Sequence, residues 1–230
     1  MVKVAPPRQL AFALAHGENF AREDFLAGPP NTHALAMIER WPDWPLEVLA
    51  LVGPEGSGKS HLAAIWAELA GARFLAARSL GDSDIPANLS TGALVLEDLA
   101  SGAFEERALF HLLNLARETH AFVLITAQTA PVLCKVTIAD LGSRLRALPT
   151  VEIAPPDDAL LRAVLVKLFA DRQLTVDEAI IIYISTRIER SFAAARAVVA
   201  ELDREALRRQ RPVTRLLAAE ILATLSGPKP

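Results

Sequence analysis

The chain has a single cysteine, Cys134, in 230 residues, which excludes an internal disulfide and a thiolate metal cluster. It has no apolar run near the roughly 18 residues that span a bilayer. Pro6, Pro7, Arg8, Gln9 and His16 interrupt the N-terminal stretch that a signal peptide would keep apolar. A soluble, cytoplasmic protein with no membrane partner is expected. Charge of one sign is also lacking: the formal net charge is −3, so nothing global attracts nucleic acid. Arg204, Arg208, Arg209, Arg211 and Arg215 form a basic stretch, but Asp203, Glu205 and Glu220 dilute it into a solvated helix face. Internal repeats and long low-complexity segments are absent. What remains is ample core material, with 52% hydrophobic residues. The length suits one α/β domain with a small helical attachment.

Residues 1–19 read as a flexible arm around a short apolar cluster. Asn31 is placed to N-cap a helix that runs to about Arg40, where Trp41-Pro42-Asp43-Trp44-Pro45 stops it. Strands are expected at 48–52, 73–77, 93–96, 122–126 and 151–153. Helices are expected from Lys59 to Gly71 and over 105–119, the latter with Leu109, Leu112, Leu113 and Ala116 on one face. Continuous apolar strands alternating with helices predict an α/β domain with a parallel sheet covered on both faces. After Pro155-Pro156 the pattern is helical only, over 157–172, 176–186, 190–209 and 213–225, with Asp157 and Asp158 available to cap the first. The expected organisation is an arm at 1–19, a nucleotide-binding domain at 20–155 and an all-helical lid at 156–230.

Gly53-Pro54-Glu55-Gly56-Ser57-Gly58-Lys59-Ser60 fits the phosphate-binding P-loop pattern, between an apolar strand and a helix. Glycines let the backbone turn its N–H groups toward a polyphosphate. Lys59 would reach the terminal phosphates, and Ser60 would hold Mg²⁺. ADP or ATP is the expected ligand. Such a site needs a carboxylate at a neighbouring strand end, and Leu94-Val95-Leu96-Glu97-Asp98 offers two. Glu97 is the metal-side acid, one methylene longer than the common Asp. Asp98 is the acid that would orient an attacking water. Gln128 or Thr126, on the next strand, is placed to sense a γ-phosphate. Arg144 precedes the last strand, where it either pairs with Asp140 or another acid at the surface or projects toward another subunit's nucleotide.

Several segments in this order resemble the DnaA-related AAA+ ATPases, and most closely their short Hda-type regulators. Phe25-Leu26-Ala27-Gly28-Pro29-Pro30-Asn31 is similar to the box before the nucleotide loop, and Gly53 to His61 to that loop itself. Leu96-Glu97-Asp98-Leu99, Leu109 to Asn114, Ile125 to Pro131 and Leu141-Gly142-Ser143-Arg144-Leu145 resemble the acidic strand end, the next helix, the sensor strand and the arginine-finger segment. The resemblance implies a P-loop AAA+ domain followed by a helical lid, with His61 part of the nucleotide loop and Arg144 a finger acting in trans. It aligns Ala193 with the lid arginine that senses nucleotide. Arg190 and Arg196, each about a turn away on nearly the same face, are the substitutes. The departures at Glu97, Gln128 and Ala193 imply weak hydrolysis by the chain itself.

The resemblance further implies that Gln9, Leu10, Phe12 and Leu14 form a peptide for the DNA polymerase III sliding clamp. The glutamine amide would anchor it and the apolar side chains would fill a pocket. The partners would be DnaA and the clamp, with DNA reached only indirectly and a nucleotide-linked homodimer compatible with the family. The chain ends about where such a lid ends, which leaves no segment for a DNA-reading domain of the DnaA kind. The expected activity is negative regulation of replication initiation by stimulating ATP hydrolysis on DnaA. The competing expectations are a self-contained ATPase that loads a helicase and a non-catalytic, nucleotide-gated adaptor.

Overall fold

The computed structural model describes residues 20–81, 84–100 and 102–225. Gln9, Leu10, Phe12 and Leu14 lie outside the described residues. Five strands, Val48–Val52 (β1), Arg73–Ala76 (β2), Ala93–Glu97 (β3), Phe122–Ala127 (β4) and Thr150–Glu152 (β5), form one parallel sheet in the order β2-β3-β4-β1-β5. The strands fall within about a residue of their expected positions; β1, β3 and β4 are buried, continuous apolar runs, and the edge strands β2 and β5 are partly exposed.

Side-chain alternation along the strands sorts the core into two layers. Leu49 and Leu51 of β1, Val95 of β3 and Leu124 of β4 face Thr32–Glu39 (α1) and Lys59–Ala70 (α2). Val48, Ala50, Val52, Leu94, Leu96, Val123 and Ile125 face the other way. They meet Ile85–Asn88 (α3), Glu106–Thr119 (α4) and Ala139–Ala147 (α5). The stripe expected on α4, Leu109, Leu112, Leu113 and Ala116, is buried there.

Four further helices, Asp158–Asp171 (α6), Glu178–Ser185 (α7), Phe192–Arg209 (α8) and Arg215–Leu225 (α9), share a separate core. Phe169, Ile184, Val199 and Ala218 are among its most buried members. Asp157 caps α6 by accepting from the Leu160 N–H at 2.8 Å. The helical unit approaches the sheet domain closely at Gly28, where an added Cβ would stand 3.2 Å from Leu160.

Asn31 differs from its expected role. It occupies the N-cap position of α1, but its side chain makes no capping bond. Its Oδ1 accepts from the Gly28 N–H at 2.8 Å and its Nδ2 donates to the Leu26 carbonyl at 3.0 Å, with the residue 1% exposed. The amide closes the turn that leads into the helix, satisfying two backbone groups that burial would otherwise leave unpaired. Replacing it with alanine leaves both unpaired. We expect Asn31→Ala to lower stability by about 1–3 kcal/mol, measured by chemical denaturation.

Candidate nucleotide-binding site

The P-loop leaves the end of β1 at the sheet's central switch point, where phosphate sites form in open α/β sheets. The Gly53 N–H donates to the Ala127 carbonyl at 3.1 Å, which pins the loop to the end of β4. A Cβ at Gly53 would lie 2.6 Å from the Ile153 carbonyl oxygen and 2.8 Å from Ser57 Oγ, so no side chain fits. Gly56 and Gly58 have φ of +69° and +102°, in the region that favours glycine. The Lys59 ammonium donates to the Gly53 and Pro54 carbonyls at 2.7 and 2.8 Å and is 7% exposed. Burial lowers its pKa, while the nearby Asp98 and Glu55 carboxylates oppose that shift. A side-chain-free cradle followed by a tethered lysine at a helix start fits a polyphosphate.

Beside the loop lies a cavity of about 360 Å³, lined from the sheet domain by Phe20, Phe25, Gly58 and His61 and from the lid by Val164 and Arg196, among others. Its volume falls in the range of small-molecule sites. His61 Nε2 donates to the Ala21 carbonyl at 3.0 Å, and its ring meets Phe20 and Phe25 edge-on with centroids 5.2 Å away in each case. Burial lowers its pKa against the opposing pull of the Ala21 carbonyl and Asp24, which favours a neutral ring.

The lid closes over this end of the sheet. Ser191 caps α8 by accepting from the Ala194 N–H, and the Phe192 N–H donates to the Gly56 carbonyl at 2.8 Å. An added Cβ at Gly56 would meet Ala193 Cβ at 2.9 Å, so Ala193 lies directly against the loop. The two candidate lid arginines part here. Arg190 pairs with Asp158 at 2.8 Å and is mostly exposed, whereas Arg196 lines the cavity. Lys167 on α6 bridges Asp24 of the sheet domain and Asp171 of its own helix, both at 2.7 Å. Burial opposes its charge, but the two carboxylates outweigh that and raise its pKa.

β4 lies between the P-loop strand and the acidic strand, as the sensor reading requires. Thr126 is 3% exposed. Its Oγ1 accepts from the Asp98 N–H at 3.0 Å and its carbonyl from the Leu99 N–H at 2.8 Å, so it braces the acidic corner. Asp98 holds a left-handed φ of +58° there and acts electrostatically on Lys59. Glu97 is half-buried, and burial followed by repulsion from Asp98 raises its pKa. Gln128 and Ser60 are exposed. The described residues hold no group of three or more His, Cys, Asp or Glu that could bind a metal on its own. That is compatible with Mg²⁺ held by Ser60, an acidic side chain and the phosphates of a bound nucleotide.

Arg144 is not at this site. It projects from α5 over the Phe110 ring, 5.2 Å from the centroid, and makes no ion pair with Asp140 among the described residues. It lines a second cavity, with Leu46, Val48 and Leu148, at the foot of β1. The P-loop leaves the head of the same five-residue strand. At about 3.3 Å rise per residue, the two ends lie on the order of 15 Å apart.

No protein-family profile and no curated protein sequence matches the chain. Solved structures do. Domain III of the Thermotoga maritima replication initiation protein DnaA superposes with a TM-score of 0.75 at 17% identity, covering 91% of this chain and 98% of that one. AMPPCP-bound DnaA from Aquifex aeolicus scores 0.64 at 16% identity, covering 82% and 68%. The Thermotoga maritima RuvB Holliday junction branch migration motor scores 0.71 at 18%, covering 90% and 72%. The chain has the AAA+ P-loop fold.

Beyond the residues expected from the sequence, the cavity beside the P-loop gathers others. Phe20 and Phe25 wall it on one side, Val164 and Lys167 on the other. The box beginning at Phe25 was a signal for its aromatic wall. Lys167 had none, because its pairing with Asp24 crosses from one domain to the next. Among the described residues no helix is long and apolar enough to cross a membrane.

Two outcomes follow from this geometry. Gly56→Ala combines a strained φ, typically costing about 1–3 kcal/mol, with a clash against the lid. We expect nucleotide affinity to fall roughly tenfold or more by isothermal titration, with the sheet domain still folded. His61 has a folded pKa below its ordinary value of about 6.5. The unfolded chain therefore binds the proton first. Stability contributed by the neutral ring is fully present above about 6.5, and is lost progressively down to the folded pKa. Denaturation midpoints across this acid window should show a decline that His61→Phe flattens.

Proposed function

We propose that this chain is an Hda-type regulator of replication initiation. In this reading it binds ADP or ATP in the cavity between P-loop and lid, with Mg²⁺, through the backbone of 53–58, Lys59, Ser60 and Arg196. Gln9, Leu10, Phe12 and Leu14 dock it on a DNA-loaded sliding clamp. Arg144 then enters the nucleotide site of a DnaA molecule and stabilises charge developing on the transferred phosphoryl group.

The observation that carries the proposal is the separation of Arg144 from its own P-loop by the length of β1. An arginine at the foot of the sheet cannot serve the phosphate cradle at its head. It can serve a second molecule docked against that foot. The likeness to DnaA domain III supports a partner of related shape, met through a heterologous, head-to-tail contact.

The half-buried, charge-disfavoured Glu97 and the alanine at 193 support a second reading, a nucleotide-gated adaptor without hydrolytic effect. One reconstitution separates them: clamp on DNA, DnaA loaded with labelled ATP, and this protein. The regulator accelerates hydrolysis. Arg144→Ala should abolish most of that acceleration, toward the roughly 10³-fold a finger can supply, while nucleotide binding to the chain is unchanged. No acceleration by the wild-type protein would favour the adaptor.

A further inference from the structure

α5 begins without a cap of its own. Ile138 holds its N-cap position and makes no side-chain capping bond. The N–H groups of Thr137 and Ile138, which lead into the helix, are met instead from the neighbouring helix. The carboxylate of Glu106, in the first turn of α4, accepts from the Thr137 N–H at 2.9 Å, the Ile138 N–H at 2.9 Å and the Thr137 hydroxyl at 3.0 Å. Four residues along the same face of α4, Phe110 presents its ring to the Arg144 guanidinium at 5.2 Å. Residues four apart lie one above the other on a helix, so the two contacts come from one stripe of α4.

They grip α5 at two points. Glu106 holds its entry, and Phe110 holds the arginine six residues beyond Ile138. The segment entering α5 also packs tightly on it, since a Cβ at Gly142 would stand 3.3 Å from Val136. Leu141 and Leu145 attach α5 to the core, but apolar contacts are non-directional. The ionic cap and the cation–π contact are directional, and they set where along the axis and at what rotation Arg144 emerges.

We propose that Glu106 and Phe110 are positioning residues that pre-set the trajectory of Arg144, so that the foot of the sheet is built to deliver this guanidinium to a partner. The proposal rests on the finger reading of Arg144. Glu106 lies near the surface and contributes no core packing, so its loss is expected to spare the fold.

The test uses the full chain in the clamp-DnaA hydrolysis assay, with Arg144→Ala as reference and Glu106→Ala, Glu106→Gln and Phe110→Leu as variants. Small displacements of a reacting group can lower rates by about 10²-fold. We expect Glu106→Ala and Phe110→Leu to lower the maximal stimulated rate by roughly tenfold or more, with the half-saturating DnaA concentration unchanged. Glu106→Gln, which keeps an acceptor oxygen, should be rescued in part. Hydrogen exchange should quicken at Thr137, Ile138 and the first turn of α5 in Glu106→Ala, but not in α2. Wild-type rates for Glu106→Ala and Phe110→Leu alongside an inactive Arg144→Ala would overturn the positioning role and leave the finger intact. A wild-type rate for Arg144→Ala would overturn the finger and the positioning role with it. Loss of half-saturation rather than rate would assign Glu106 and Phe110 to partner binding instead.

Discussion

The approach of bare backbone to bare backbone around the P-loop is the constraint on which the rest depends. At Gly53 the chain passes so close to Ile153 that a single added carbon would collide with its carbonyl oxygen. At Gly56 the lid helix α8 arrives at the same proximity, with its first amide bonded to the loop. The loop is therefore held by β4, by the segment after β5 and by the lid at once. Side chains at those glycines would push the three apart. The cavity between Phe25, His61 and Val164 exists because they are not pushed apart.

From that junction the molecule works along the axis of β1. Its head carries the phosphate cradle, the acidic corner braced by Thr126, and the lid. Its foot carries α5 and Arg144. A parallel sheet puts all strand ends of one kind on one edge, so the division follows from topology rather than from any single contact. The lid remains a separate packing unit, joined to the sheet domain by Lys167 with Asp24, by Phe192 with Gly56 and by Leu160 on Gly28. Two of these three ties flank the cavity beside the P-loop, so sheet domain and lid both wall it.

The three central strands were legible because buried parallel strands are uninterrupted apolar runs, as β1, β3 and β4 are, whereas the edge strands β2 and β5 are short and partly exposed. The P-loop was legible because its glycines and lysine are required by local geometry. Asn31 was misassigned in mechanism. A residue at an N-cap position usually caps with its side chain, but burial against the 26–28 turn offered this amide two backbone partners at once. Thr126, with Gln128, is a sensor candidate because it is a polar residue near a strand end. Its position beside β3 also brings the hydroxyl to the Asp98 amide, a contact that only the packing of the two strands reveals.

The sequence by itself determined the alternation of elements, the phosphate cradle and the candidates for acid, sensor and finger, since each rests on spacing within a few residues. Only the tertiary structure decided between them. It set Arg196 on the cavity and Arg190 on Asp158, although the two lie less than two helical turns apart. It joined Lys167 to Asp24 across 143 residues of chain. It put Arg144 over Phe110 rather than beside Asp140. The physical reason is the same in each case: a long charged side chain reaches several acids or rings, and which one it meets depends on how separately folded layers pack.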